Sequence, residues 1–300
     1  MNVKRSRPNK DIMDLLFDFT VNGYVILLVI IVVYPLYFII IASISDPDLV
    51  NIGKVILLPK NITFKGYDFI FGDNRIWQGY INTIIYSVGS SFLGVTITIL
   101  AAYSLSRKEL YGRKLIMFIF IITMYFNGGL IPTYLVVKKL NLINNPLIII
   151  LMSSFSVYNT IIARTYFSST VSEELRDAAS IDGCNTANFF FRIVLPISKA
   201  IVAVIALYYF VGQWNSYFSA LIYLNNSKYY PLQLILRSIL IQSKVLEEEV
   251  LDLHSGGEKE RLSDLIKYGV IIVSAIPLLI IYPWLQKYFV QGVMIGSVKG

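Results

Sequence analysis

The residues of this chain best suited to chemistry lie between Glu173 and Pro196, in the stretch EELRDAASIDGCNTANFFFRIVLP. The stretch is polar, carries Ala178-Ala179 and Gly183 at fixed spacing, and ends in Ile193-x-Leu195-Pro196. These side chains suit contact rather than bond-making. Thr170 and Glu173 can form a capping box, with Ser172 as an alternative cap. Glu173–Asp182 then reads as a short helix. Gly183 suits its C-terminal turn, because Gly accepts positive φ. Asn185–Arg192 can form a second short helix, and Pro196 opens an apolar run. Two short helices joined by Gly make a compact knob, with Ala178 and Ala179 as a close-packing surface. Phe189, Phe190 and Phe191 are too apolar to stand in water. Some must pack back on the protein, and others can enter a groove on a partner.

Covalent chemistry has little material elsewhere. The sequence has no Gly-x4-Gly-Lys-Ser/Thr phosphate loop, no His-Glu-x-x-His and no Gly-x-Ser-x-Gly elbow. Its only histidine is His254, read as a solvated loop residue, and no metal site is expected. Cys184 is the only cysteine, which excludes an internal disulfide and leaves it as a small filler residue.

The elements that position this stretch are oily. Of 300 residues, 56% are hydrophobic and only 15% charged, and mean hydropathy is +0.64. A soluble domain carries about a quarter charged residues. Six charge-free runs reach the roughly 20 residues that a helical span needs: Phe19–Ser45, Ile76–Ser106, Leu115–Val137, Leu140–Ala163, Ala200–Ser227 and Tyr268–Gln286. The expected fold class is therefore all-α, a polytopic membrane helix bundle with six transmembrane helices. The short alternating strands of a β-barrel are absent from the pattern. The first run is too long for a signal-peptide core, and Asp46 and Asp48 follow it instead of a small-residue cleavage site, so it reads as an uncleaved span.

Lys4, Arg5, Arg7 and Lys10 place the N-terminus on the cytoplasmic side. Six crossings then put Arg107, Lys108, Arg113 and Lys114, the patterned stretch and the tail from Lys287 on that side as well. Residues 1–18 are a cytoplasmic N-terminus, 19–45 the first span, 46–75 an external loop and 287–300 a cytoplasmic tail. The external segment 228–267 mixes cations with Glu247, Glu248, Glu249, Glu258 and Glu260. Within it, Pro231–Val245 reads as an amphipathic helix lying on the membrane or lining its outer mouth. The net charge of +7 gathers at span ends, which fits lipid headgroups rather than nucleic acid.

The spans hold no Asp or Glu at mid-membrane depth, whereas ion-coupled carriers and proton pumps use such groups. A neutral polar solute such as a sugar suits that picture; the alternative is that a partner chain supplies the charges. Two places offer polar groups along a path. In the fifth run, Gln213, Trp214, Asn215 and Tyr217 combine amides with aromatic faces; interfacial anchoring is the other reading of Trp and Tyr there. In the third run, Asn127, Gly128, Gly129 and Pro132 break the helix, as in cavity-lining broken helices or a simple Pro kink.

Asp177-Ala178-Ala179, three residues, Gly183, nine residues and then Ile193-x-Leu195-Pro196 resembles the EAA loop of inner-membrane subunits of ABC-type importers. The one departure is Asp177 where that family prefers Glu. Further segments, among them "YPLYFIIIASISDP", "NGGLIPTYLVVKKLNLINN" and "YYFVGQWNSYFSALIYL", resemble the carbohydrate-importer branch, nearest the maltose-importer-type second permease of oligosaccharide systems in Gram-positive bacteria. The resemblance implies a type I importer permease fold, with residues 76–286 as the transmembrane transport domain and 169–196 as its cytoplasmic coupling loop. It implies a homologous second permease, two cytoplasmic ATPase subunits that hold ATP and Mg, an extracellular solute-binding lipoprotein and a sugar substrate. It assigns ATPase contact to Glu174, Asp177, Ala178, Ala179, Ile181, Asp182 and Gly183, and to Met294 and Ser297 in a tail that reaches into the ATPase dimer. No catalysis by this chain is expected. The competing classes are a multi-pass membrane enzyme, which needs clustered His, Asp or Glu at one membrane face, and a self-contained channel, which needs no such loop.

Overall fold

The computed structural model describes residues 12–251 and 264–283, and every regular element among them is helical. Two compact units divide them: 12–70 with 242–251 and 264–272, and 71–241 with 273–283.

The first unit is built on α1, Ile12–Ser43, which is apolar along its length and buried only at Ile41, Ala42 and Ser43. Pro35 lies inside it and removes one backbone donor. Helix α2, Pro47–Asn51, starts at Asp46, whose carboxylate accepts the Asp48 N–H. Helix α3, Lys65–Gly72, follows. Ile41, Ala42, Val50 and Val55 close a small core with Phe38, Leu49 and Tyr268.

The second unit is organised by α4, Asn74–Ser106. Asp73 caps it, accepting the Arg75 N–H at 2.9 Å and pairing with the Arg75 guanidinium at 2.7 Å. That guanidinium holds the Asp73 carboxyl below the usual carboxylate range. Helix α5, Arg113–Tyr125, and α6, Leu130–Lys139, follow. They meet at 112°, so the run expected as a third straight span is broken. Asn127 Oδ1 accepts the Gly129 N–H at 2.9 Å, and Gly129 sits at φ +87°. The break predicted from Asn127, Gly128, Gly129 and Pro132 is present.

Residues 140–163 likewise do not form one helix. They include α7, Leu147–Met152, and most of α8, Val157–Thr170, with Ser156 capping the latter. Asn141 and Asn144 adopt left-handed φ of 56° and 59° in the turn before α7. Helix α9, Glu173–Ile181, and α10, Thr186–Phe189, form the knob. A π-helical turn over Phe190–Val194 leads into the one-turn α11, Leu195–Ile197. The chain then bends by 79° into α12, Lys199–Trp214. Helix α13 is Phe218–Tyr223, α14 is Leu232–Leu251, and α15 is Asp264–Pro283.

Among the described residues three helices are long and apolar enough to cross a membrane, α1, α4 and α15, or up to five spans if each bent pair counts as one. Helix α4 packs chiefly against α12 and α8. Ile99, Ala102 and Tyr103 of α4 share a core with Ala163 and Phe167 of α8 and with Ile201, Ile205 and Tyr209 of α12. The amphipathic helix expected at 231–245 exists as the start of α14, but Leu232, Leu234, Ile235, Leu236 and Ile239 are buried in protein. Its entry is stapled to α4. Thr83 Oγ1 accepts the Leu232 N–H at 2.8 Å, and the Asn82 amide donates to the carbonyls of Lys228 and Tyr230.

Candidate functional site: the α9–α10 knob

Ser172, not Thr170, caps α9. Its hydroxyl oxygen accepts the Leu175 N–H at 3.3 Å, while Thr170 is the last residue of α8. Glu173 and Glu174 occupy the first turn, where carboxylates favour the helix dipole. The Glu174 carboxyl is held below its ordinary range by its own backbone N–H and then by the Ser172 hydroxyl, with Lys108 adding charge.

Gly183 ends α9 at φ +75°, a backbone state that penalises any Cβ. Cys184 N–H donates to Ala179 O at 2.9 Å and Gly183 N–H to Ser180 O at 3.1 Å. This pair of bonds is a Schellman cap, and it satisfies carbonyls that a helix end leaves open. Asn185 restarts the chain at once, its Oδ1 accepting the Asn188 N–H at 2.8 Å. A stop and a start within four residues leave the joint little freedom.

The two faces of α9 differ. Ala179, 8% exposed, turns inward to the core that also holds Phe189, Phe190 and Tyr103. Phe189 and Phe190 are buried, each stabilising the knob by roughly 1.5–3 kcal/mol. Cys184 packs on the same core as a half-buried filler. Outward stand Glu174, Asp177, Ala178 and Ile181, spaced i, i+3, i+4 and i+7 along one helical stripe and all exposed. Ile181 is 86% exposed. Asp182 and Gly183 continue the exposed surface, and Phe191 is exposed on the next element. The expected contact residues thus separate: Ala179 serves the fold, and the others of α9 and its cap face out.

The knob is also tied to the turn that follows α4. Lys108 Nζ lies 2.8 Å from Glu173 Oε1, the Arg176 guanidinium pairs with Glu109, and Arg107 Nε is 3.7 Å from the other Glu109 oxygen. The Glu109 carboxyl is held below its usual range by its own backbone N–H, then by the guanidinium of Arg176 and the charge of Arg107. A cleft of about 440 Å³ lies here, lined by Tyr103, Arg107, Glu109, Arg176, Ala179 and Cys184. Sequence reasoning assigned Arg107 and Lys108 to lipid headgroups and passed over Glu109. The available signal was one acid set inside a run of cations.

The residues proposed for a solute path do not form one exposed patch. Gln213 is buried and its Oε1 accepts the Ser153 hydroxyl. Trp214 is 1% exposed, donates Nε1–H to Ser274 O at 3.2 Å and stacks on Phe210. That burial removes the interfacial-anchor reading for Trp214. Asn215 and Tyr217 are exposed. The Asn215 amide donates to Val211 O at 3.0 Å, and the Arg237 guanidinium lies 5.3 Å from the Tyr217 ring centre. Asn127 is exposed at the α5–α6 break. Met294, Ser297 and His254 lie outside the described residues. Among the described residues no group of three or more His, Cys, Asp or Glu gathers as a metal site.

Comparison with known proteins places this geometry in context. Residues 94–295 match the family model described as "Binding-protein-dependent transport system inner membrane component". The chain is 37% identical over 285 residues to the polygalacturonan/rhamnogalacturonan transport system permease protein YtcP of Bacillus subtilis, covering 95% of this chain and 99% of that one. It is 35% identical over 270 residues to protein LplC of the same organism, covering 90% of each. Its structure matches a chain of a bacterial ABC transporter involved in the import of the acidic polysaccharide alginate, with TM-score 0.81, 30% identity and coverage of 94% of this chain and 100% of that one.

Proposed function

The chain belongs to the family of binding-protein-dependent transport system inner-membrane components, and from that premise we propose that it imports an oligosaccharide by alternating access. It is a multi-pass membrane permease of an ABC importer and not an enzyme; ATP hydrolysis belongs to the ATPase partner. The family implies a partner permease, an ATPase and a binding protein.

The finer assignment is ours. The partner permease is homologous, two ATPase subunits carry ATP and Mg, and an extracellular lipoprotein delivers the sugar. Both termini and the α9–α10 knob face the cytoplasm of a Gram-positive cell. The carrying observation is the exposed stripe Glu174, Asp177, Ala178, Ile181 on a helix that packs Ala179, on its other side, into the protein's own core. Ile181, 86% exposed, gives this stripe an apolar group that a groove on the ATPase can bury.

Closure of the ATPase pair displaces the knob. Because Ala179, Phe189 and Phe190 share one core with α4, α8 and α12, that displacement is passed to the helices as a rigid-body shift. ATP binding biases a two-state equilibrium that the membrane helices follow.

The related permease named for polygalacturonan and rhamnogalacturonan, and the alginate importer, support a uronate-containing oligosaccharide as substrate. Arg237 over the ring of Tyr217 offers a cation beside an aromatic face, a pairing suited to such a sugar. The test is ATP-driven uptake of labelled oligogalacturonide by vesicles carrying the assembled transporter with its binding protein. Uptake competed by uronate oligomers and not by neutral disaccharides supports the assignment. Uptake of neutral sugars alone removes the uronate assignment, and uptake of no sugar removes the oligosaccharide reading.

A further inference from the structure

The outer segment of the first unit contains Lys54-Val55-Ile56-Leu57-Leu58-Pro59-Lys60, an apolar tip between two lysines. Its base is tied to the end of α1. Asp46 N–H donates to Lys60 O at 3.0 Å, Lys60 N–H to Ser45 Oγ at 3.2 Å, and Thr63 N–H to Ile44 O at 3.0 Å. Val55 turns inward to the small core, 2% exposed. Ile56, Leu57 and Leu58 turn outward and are 57%, 65% and 71% exposed. Three consecutive large aliphatic side chains held outward by a fixed base are costly in water.

The tip does not stand above the helix end. The Tyr34 hydroxyl donates to Ile56 O at 3.3 Å, and the Tyr37 hydroxyl donates to Leu57 O. Tyr37 and Tyr34 lie about 9 and 14 Å before the end of α1 at 1.5 Å per residue. Their side chains lean further toward the helix N-terminus. The tip therefore folds back alongside α1, toward the bilayer. At that depth backbone carbonyls need protein partners because water is scarce, and the two tyrosines supply them. Pro59 brings no N–H that would need one.

We infer that Lys54–Lys60 is a lipid-dipping loop whose Ile56, Leu57 and Leu58 insert into the outer leaflet while Lys54 and Lys60 meet anionic headgroups. Lysines bracketing an apolar tip match the layering of an interface, with charge at the phosphates and aliphatic groups beneath. The tip is continuous with the surface of α1, where apolar side chains from Leu15 to Ile40 are exposed over the span. Tyr34 and Tyr37 have the amphipathic character that favours the same layer. The inference rests on α1 being a span whose C-terminal end faces outward.

The test places a fluorescent label at Leu57→Cys, and separately at Leu58→Cys, in a Cys184→Ser background. The assembled transporter is reconstituted in vesicles of phosphatidylcholine and phosphatidylglycerol. Quenching is compared for lipids carrying a nitroxide near the headgroup, lipids carrying it mid-chain, and aqueous iodide. The expected result is severalfold stronger quenching by the nitroxide lipids, headgroup-proximal or mid-chain, than by iodide at both positions. Quenching by iodide alone places the loop in water and overturns the inference. Protection from all three quenchers places a protein partner over the tip and overturns it equally. A label at Ile30→Cys, mid-way along α1, reports separately on the span, since mid-chain nitroxide lipids must quench it whatever the loop does.

Discussion

Ala178 and Ala179 are neighbours in sequence on opposite faces of α9, and the same substitution at each separates the roles proposed for those faces. Leucine adds three carbons. At Ala179 they enter a core that already holds Tyr103, Phe189 and Phe190. Overpacking of this kind costs about 1–3 kcal/mol. At Ala178 the added carbons meet solvent in the isolated chain, and exposed substitutions change stability by less than about 0.5 kcal/mol. On docking, however, the enlarged side chain stands in the stripe with Glu174, Asp177 and Ile181. Loss of about 1.4 kcal/mol there lowers ATPase affinity roughly tenfold. The assay is thermal unfolding of the purified permease pair in detergent, beside retention of the ATPase on the immobilised pair. Ala179→Leu is expected to lower the midpoint, whereas Ala178→Leu leaves the midpoint unchanged and weakens ATPase retention about tenfold. Equal shifts in midpoint, or a destabilised Ala178→Leu beside a silent Ala179→Leu, refute the assignment of faces.

Two further predictions follow from the packing. Glu109→Gln removes an exposed ion pair worth about 0.2–1 kcal/mol, so amide exchange in α9 is expected to quicken by up to about fivefold; Arg176→Glu, which sets two carboxylates together, quickens it further, and the double swap Glu109→Arg with Arg176→Glu recovers part of the loss. Because the Glu109 carboxyl lies below its ordinary range, the pair's contribution is present above that range and is lost only as pH falls through the lowered value; exchange should carry no step from the pair between neutral pH and about pH 5. Gly94→Ala sets a methyl 2.9 Å from ring carbons of Tyr209, which is fixed by its hydroxyl to Thr98 Oγ1 at 2.7 Å and to Ser156 N at 3.0 Å. Yielding costs either overpacking or those hydrogen bonds, about 1–3 kcal/mol either way, read as a lower unfolding midpoint; in a Tyr209→Ala background, itself destabilised by the loss of a buried ring, the added cost of Gly94→Ala is expected to shrink.

The knob was the most legible part of the molecule because local rules decide it. Gly183 demanded a left-handed turn, and the polar spacing demanded a short amphipathic helix. The helix start was less legible, since Thr170 and Ser172 both fit a cap and only the end of α8 chose between them. Apolar runs marked membrane-depth segments but not their continuity. The stretch 140–163 has no charge, yet Asn141, Asn144 and Ser156 divide it through backbone geometry that hydropathy does not weigh. Helix α14 shows the same limit, because an apolar stripe reads alike whether lipid or another helix covers it. Asn82 and Thr83 of α4 bind the chain entering α14 across about 150 residues of sequence, and no local pattern announces them. Glu109 was hidden because its meaning lies in Arg176, 67 residues away.

The central claim is that the outward stripe of α9 is where the ATPase takes hold. Ile181→Glu tests it most directly, since Ile181 is almost wholly exposed and the change leaves the chain's own core intact. The measurement is ATPase co-purification together with ATP-driven uptake, at matched membrane levels and matched unfolding midpoint. The account predicts that both are lost while the permease pair stays folded. Full co-purification with full uptake would contradict it.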